Sequence, residues 1–427
     1  MKRGAWHWRL MVLSAIMWTL TLGTTSPGLA GEAITIDYWH INSESFGGNA
    51  VKEIIKRFEA ANPGIKVAEK YQPAGYTGLI QQAQVAMAGK RPPAVVQMSY
   101  NLLAYASEAL PHYPIENFKQ KDAAFFATFP ANILSLGQLK GVQHGMPYGL
   151  STPVFFYNAD LFKQSGLNPD QGPATWADVV TMSQAIKAKT GKYGTYLQNP
   201  NDDWMFQQMV LGNGGEMLSA DGKRVAFDSP QAAEGLQVWA DLTNKHKANP
   251  NLTRDEGENN FIAGQIAMYA TTIAKLDHLK KNAKFTLRTA PLPRFGTKPQ
   301  RVAGGGNALF ILATNPDQQR AAWEFIKFLH RPESIATWVQ GTGYMPPLMS
   351  AAEDPKTLKP FFQANPLMKA SLDSVPAVTL WQSFPGTNGL EITKLVINAT
   401  QEILAGQRTA DMILKEVAAK ANGLLPK

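Results

Sequence analysis

At 427 residues, with 44% hydrophobic and 17% charged side chains, the chain has the composition of a folded protein of roughly two or three domains and not of a disordered segment. The absence of cysteine excludes structural disulfides, thiolate metal sites, iron–sulfur clusters, cysteine nucleophiles and the lipid-bearing cysteine of a lipoprotein. Lys and Arg number 41 against 33 Asp and Glu, a net charge of +8, but no basic run exceeds two residues, so the stripe expected of a nucleic-acid binder is missing.

Lys2 and Arg3 precede a nearly apolar run of 13 residues from Leu10 to Leu22, and small residues follow at Gly28, Ala30, Gly31 and Ala33. This order of charged, apolar and small residues predicts a secretory signal peptide over residues 1–30, cleaved after Ala30, with Ala33 the second choice. A membrane-spanning helix needs about 20 apolar residues, and no later segment reaches that length. With no cysteine to carry lipid, the expected location is the periplasm.

From Ile34 the pattern is strand, helix, strand. Ile34 to Trp39 alternates as a half-buried strand, and Val51, Ile54, Ile55 and Phe58 fall at helical spacing before Asn62, Pro63 and Gly64 end the helix. Ile65 to Ala68 is a second strand, Gly78 to Ala88 a helix, and Ala94 to Met98 an apolar run suited to a buried parallel strand. Alternating strands and helices predict an α/β fold with open sheets. Ligands of such sheets sit beyond the carboxyl ends of the strands, which places Trp39, His40, Ser99 and Tyr100 towards a cleft. The alternation restarts after Gly149 with a strand at Val154 to Tyr157 and a helix from Trp176 to Ala188; Ile266 to Tyr269 and Ala308 to Leu312 are further strands. Pro147 and the run Pro291 to Pro293 mark places where the chain crosses between two lobes, and helices broken by Pro and Gly follow Tyr344.

Few chemical motifs stand out. The seven histidines are scattered with no pair at helical ligand spacing, and no phosphate loop, dinucleotide fingerprint or nucleophile elbow is present. No cofactor or metal is called for. Asp202 and Asp203 are the nearest candidates for a glycosidase carboxylate, although adjacent acids in an Asn-rich segment read more simply as a solvated turn. The aromatics say more. Trp39, Tyr76, Tyr100, Trp204, Tyr344 and Trp381 each lie at a strand end or loop near small polar residues, the arrangement in which aromatic rings stack on a polyol and polar neighbours meet its hydroxyls. Ser151 with Thr152 offers hydroxyls, Gly304 to Gly306 permits either close backbone approach or a bend, and His40 and Glu44 either meet ligand hydroxyls or serve structure.

The export signal, the run from Ile36 to His40, the segment Ile55 to Val67 and the segment Met146 to Leu167 followed by Thr175 to Asp178 resemble the extracellular solute-binding proteins of ABC importers, the maltose-binding class. Phe261 to Met268 and Trp323 to Leu329 extend the resemblance over nearly all of the mature chain. Within that class the chain most resembles the glycerol-3-phosphate-binding periplasmic proteins, through Tyr38 to His40, Ser151 to Pro153, the glycines before Asn307 and Thr342 to Pro346. The resemblance implies a monomer with a two-lobed periplasmic binding protein fold, each lobe an open mixed sheet flanked by helices, with residues 31–149 and 293–340 in one lobe and 150–292 and 341–427 in the other. It also implies a small ligand in the interlobe cleft, closure on binding, docking on membrane permease subunits and no enzymatic activity. On that pattern Tyr76, Ser151, Trp204, Gly306 and Tyr344 contact ligand, joined by Trp39, Tyr100 and Trp381.

Two departures bear on the ligand. Tyr100 stands where the glycerol-phosphate proteins carry an acid, and Trp381 to Gly386 holds no arginine where they carry one. A phosphate in a closed cleft calls for charge-assisted hydrogen bonds, commonly from arginine. Arg301 or the backbone N–H groups of Gly304 to Gly306 are the expected substitutes. A glycerol phosphate or phosphodiester is the leading expectation, a neutral mono- or disaccharide the second. A secreted carbohydrate-active enzyme and a purely structural envelope protein are the rivals from other classes.

Overall fold

A computed structural model of the chain describes residues 33–198 and 202–426, so the expected leader lies outside the described residues. Among the described residues thirteen strands run in chain order: β1 (Ile34–His40), β2 (Ile65–Tyr71), β3 (Val95–Ser99), β4 (Gln138–Leu139), β5 (Val142–Gln143), β6 (Met146–Ser151) and β7 (Pro153–Asn158). They continue as β8 (Tyr193–Leu197), β9 (Ile266–Thr272), β10 (Leu287–Pro291), β11 (Val302–Ala303), β12 (Gly305–Ile311) and β13 (Val378–Thr379).

The first lobe is built on a five-stranded sheet of order β2-β1-β3-β12-β6. Strands β1, β2 and β3 are parallel, whereas β12 runs antiparallel to both β3 and β6, so the sheet is mixed. The helix Gly48–Ala61 covers it with Val51, Ile54, Ile55 and Phe58 buried, the four positions that the sequence spacing selects. Phe58 meets Phe325 and Phe328 of the helix Pro316–Leu329 edge-on, with centroids 5.0 and 5.4 Å apart. Each such side chain taken fully out of water stabilises the lobe by roughly 1.5–3 kcal/mol. The helix ends where Asn62 turns its side-chain amide back to the Phe58 carbonyl and Ile65 starts β2.

A four-stranded sheet of order β10-β7-β9-β8 forms the second lobe. Strand β7 is antiparallel to both β10 and β9, and β8 is parallel to β9. The helix Trp176–Thr190 starts at a capping box in which Thr175 and Asp178 satisfy each other's backbone N–H groups.

The chain passes between the sheets three times, at Ser151 to Pro153, over residues 292–304 and after Gly343. Pro147, expected at a crossing, lies inside β6, and Gly305 and Gly306, open in sequence to a bend, begin strand β12. The crossings are tied together by backbone hydrogen bonds. Strand β11 pairs in parallel with β13, Gly304 N donates to Thr379 O, and Met345 N donates to Leu150 O at 2.7 Å. Among the described residues no helix is long and apolar enough to cross a membrane.

Candidate functional site

Between the lobes lies a cleft of about 390 Å³ lined from both sides, by Tyr76, Ser99, Asn101, Ser151, Gly305, Gly306 and Tyr344 and, opposite, by Gln198, Asp202, Trp204, Arg254, Thr272 and Trp381. It sits at the carboxyl end of β3 and at the start of β12, where an open sheet leaves room for a ligand.

The first-lobe wall is held by its own hydrogen bonds. Tyr76 stands in the first turn of the helix Gly75–Ala88, which begins three residues earlier than the sequence suggests, and its hydroxyl accepts from the buried Asn307 amide at 2.9 Å. Burial pushes the Tyr76, Tyr100 and Tyr344 hydroxyls well above or above the ordinary tyrosine value, so all three remain protonated donors. Ser99 donates to Asn101 Oδ1 at 2.7 Å. Gly306 has φ +116°, and a Cβ there would overlap the Gly149 carbonyl oxygen, so the position requires glycine. At Gly305 a Cβ would come within 2.9 Å of the Trp204 ring, so this glycine lets the indole of one lobe lie against the backbone of the other.

Opposite, Trp204 opens the helix Trp204–Gly212 and donates its indole N–H to the Ala303 carbonyl at 2.9 Å, which fixes the ring in the cleft wall. The Trp381 ring lies 5.9 Å away, tilted by 41°. Its indole N–H donates to Asp203 Oδ1 at 2.9 Å, and Gln207 donates to the other carboxylate oxygen at 2.8 Å. Asp203 is fully buried, and that burial pushes its carboxyl up to about 7 against the opposing hydrogen bonds of Gln207 and Trp381. The solvated-turn reading of this acid is therefore wrong: Asp203 is an internal anchor for a cleft tryptophan. Asp202 does face the cleft. Its Oδ1 accepts the Trp204 backbone N–H at 3.1 Å, Oδ2 lies 4.0 Å from Arg254 Nη1, and burial raises its pKa against the pull of Arg254.

Six of the eight residues selected from the sequence, Tyr76, Ser151, Trp204, Gly306, Tyr344 and Trp381, line this one cleft. Two do not. The Tyr100 hydroxyl donates to the Gly149 carbonyl at 2.9 Å behind the lining. Trp39 lies under the Lys70 ammonium, 4.4 Å from the ring centroid, in a cation–π contact along β1 and β2. His40 is buried with its Nδ1 accepting from Asn42 N and its Nε2 donating to Glu69, and burial lowers its pKa to about 4, so it is a neutral structural group. Glu44 pairs with Lys52. Ser151 terminates β6 in the first-lobe sheet and shares a 2.6 Å hydrogen bond with Thr272 of the second, a hydroxyl bridge across the crossing.

Arg301, a sequence candidate for replacing the missing arginine, binds Glu216 through two N–H groups at 2.8 and 3.1 Å and is not part of the lining. The cleft's arginine is Arg254, which the sequence reading missed. The signal for it was present: Thr253 and Glu256 spell a capping box, and the structure shows both of its bonds. The box places Arg254 in the first turn of the helix Arg254–Ile262. Nothing in the sequence says that this turn faces β12 across the cleft.

The chain belongs to the bacterial extracellular solute-binding protein family, whose model matches residues 53–370. It is thus a solute-binding protein of the ABC-importer type with a small-molecule ligand and a permease partner. It is similar to the sn-glycerol-3-phosphate-binding periplasmic protein UgpB of Shigella flexneri, 27% identical over 95% of this chain and 96% of that one. The Escherichia coli K12 protein of the same name is 26% identical with the same coverage. Among solved structures, the cyclic alpha-maltosyl-1,6-maltose binding protein of Arthrobacter globiformis superposes with a TM-score of 0.82 at 19% identity, over 92% of this chain and 99% of that one. UgpB of Mycobacterium tuberculosis in complex with glycerophosphocholine superposes with a TM-score of 0.80 at 20% identity, over 91% and 98%. These likenesses show the two-lobed fold.

Proposed function

We propose that the chain is the periplasmic substrate-binding protein of an ABC importer for a small polyol-type ligand of the sn-glycerol 3-phosphate or glycerophosphodiester class. The observation that carries this reading is a two-sided cleft of about 390 Å³ that pairs aromatic faces and hydroxyls with an arginine, Arg254. The volume suits a compact ligand, the rings of Trp204 and Trp381 suit its carbon skeleton, and the arginine suits a phosphate. The curated relatives of similar length, named as glycerol-3-phosphate-binding, support the same class.

On this reading one lobe comprises residues 31–149 with 293–340 and the other residues 150–292 with 341–427, and the strand β6, which ends at Ser151, favours a first boundary two residues later. Ligand touching Tyr76 and Gly306 on one side and Trp204 on the other favours the closed arrangement, and the closed form docks on the permease. The protein works as a monomer without a cofactor, binds no nucleic acid and reaches the periplasm through a cleaved signal peptide. It performs no covalent chemistry on this reading: Asp203 spends both carboxylate oxygens on Trp381 and Gln207, and among the described residues of the lining Asp202 has no second acid beside it.

A thermal-shift screen of the purified protein against sn-glycerol 3-phosphate, glycerophosphocholine, glucose and maltose tests the reading, because a ligand of the native state raises Tm by mass action. A shift with the phosphate compounds is expected. A shift with the neutral sugars alone transfers the assignment to sugar capture, and no shift with any of them removes it.

A further inference from the structure

Positive charge that is scattered along the sequence is gathered by the fold at one end of the second lobe. The helix Trp176–Thr190 carries Lys187 and Lys189 in its last turn, Lys192 and Tyr193 lead from it into β8, and Lys245 and Lys247 lie just past the end of the helix Pro230–Asn244. Two hydrogen bonds hold these segments side by side: the Gln184 amide meets His246 Nδ1 at 3.3 Å, and Thr195 N donates to the Ala248 carbonyl at 3.1 Å. Lys187, Lys189, Lys245 and Lys247 are exposed and Lys192 is partly so. Their hydrogen bonds go to neutral groups, from Lys187 to the Gly191 carbonyl at 3.3 Å and from Lys192 to Gln265 at 2.6 Å, and no carboxylate among the described residues pairs with any of the five. Asp241, one turn before Lys245, accepts instead from the Gln237 amide at 2.8 Å. The ammonium groups can stand together because the carboxyl ends of two helices meet here, and their partial negative charge favours cations. Without Lys2, Arg3 and Arg9 of the expected leader the 41 basic residues become 38 against 33 acidic ones, a surplus of +5 that this one patch equals.

We propose that this lysine patch docks the second lobe on an anionic phospholipid bilayer, the outer face of the membrane that holds the permease. A bilayer offers what the patch lacks, a plane of phosphates, and several lysines facing such a plane act together within a Debye length of it. Tyr193, in the middle of the patch, is 38% exposed, with the Lys187 ammonium 4.9 Å from its ring centroid. A phenol among lysines suits the boundary between water and lipid, where the ring settles among headgroups while the ammonium groups meet phosphate. The placement leaves solute capture free. Strand β8 begins at Tyr193 beside the lysines and ends at Leu197, and Gln198 already lines the cleft, so patch and cleft lie at opposite ends of the strand, roughly 17 Å apart along it. Held by this end, the lobe turns its cleft away from the bilayer, and the protein searches for its permease along a surface. This role does not depend on which ligand the cleft takes.

Cosedimentation of the protein, purified after export, with vesicles of equal parts phosphatidylglycerol and phosphatidylcholine and with vesicles of phosphatidylcholine alone tests this. Three proteins are compared: the wild type, a patch variant with Lys187→Gln, Lys192→Gln, Lys245→Gln and Lys247→Gln, and a control with Lys56→Gln, Lys90→Gln, Lys356→Gln and Lys394→Gln, which loses the same charge from exposed lysines elsewhere. Circular dichroism and Tm establish that each is folded. The wild type is expected to partition onto the anionic vesicles at least tenfold more strongly than onto the neutral ones. The patch variant loses at least tenfold of that binding, and the control stays within twofold of wild type. Raising the salt from about 50 mM to about 500 mM should abolish the preference, because screening shortens the reach of surface charge. Equal losses in the two variants would show that net charge acts and not the patch. No preference for anionic vesicles, or single-stranded DNA binding the patch as tightly as lipid does, would overturn the assignment to a bilayer.

Discussion

The indole N–H of Trp381 is held by the carboxylate of Asp203 at 2.9 Å, so one wall of the cleft is positioned by an acid that lies outside its lining. Residues 203 and 381 are far apart in the chain and lie on either side of two crossings between the lobes. The pair makes cleft geometry and proton uptake a single property.

Asp203 has a pH signature with a definite sign. Its folded-state pKa of about 7 lies above the unfolded value, so the native state binds more protons across that interval. The stability this group contributes is present below the unfolded pKa and is lost as pH rises through about 7. Comparison with Asp203→Asn isolates it: the advantage of wild type over variant should shrink by on the order of 3 kcal/mol between pH 4 and pH 8. Urea unfolding of both proteins at the two pH values measures this, and a pH-independent difference would contradict it.

Trp204 lines the cleft with its N–H already committed to Ala303. Trp204→Ala should lower ligand affinity at least tenfold and leave the protein folded with a reduced Tm, since stacked aromatic contacts in a closed site dominate binding energy. Retained affinity in titration calorimetry would remove the ring from the site.

Two further substitutions should be silent in binding. Arg301 is engaged by Glu216 and Trp39 by Lys70, both outside the cleft lining. Arg301→Gln and Trp39→Phe are expected to bind ligand within twofold of wild type. A tenfold loss in either would show that the ligand reaches beyond the described cleft.

Gly306→Ala should be severe. Its φ of +116° is strained for any side-chain-bearing residue and the added methyl overlaps the Gly149 carbonyl. A cost of at least ~2 kcal/mol is expected from the backbone conformation and the overlap together. Denaturant unfolding reads it directly, and a neutral result would mean that β12 joins β6 in a different register.

What was legible in the sequence was what local patterning encodes. Val51, Ile54, Ile55 and Phe58 announce their helix because burial of one face leaves a 3.6-residue period, and of the aromatics beside small polar residues Tyr76, Trp204, Tyr344 and Trp381 do meet at a cleft, whereas Trp39 and Tyr100 carry the same local signal and do not. What was hidden depends on which segments meet. Arg254 in its capping box looks like any helix start, and Asp203 beside Asp202 looks like a hydrated turn until Trp381 is brought to it. Trp39 misled for the same reason: its place at a strand end is real, but Lys70 on the neighbouring strand occupies its face.

Strand β12 sits between β3 and β6, so the first-lobe sheet lacks an internal strand until residues 305–311 join it. A chain emerging from the ribosome therefore cannot close this lobe until most of its length has been made, because the pairings of β12 with β3 and β6 are long-range and their loop entropy is paid late. The topology thus acts as a timer: the strand that completes the first-lobe sheet is withheld until the carboxyl-terminal third of the chain arrives.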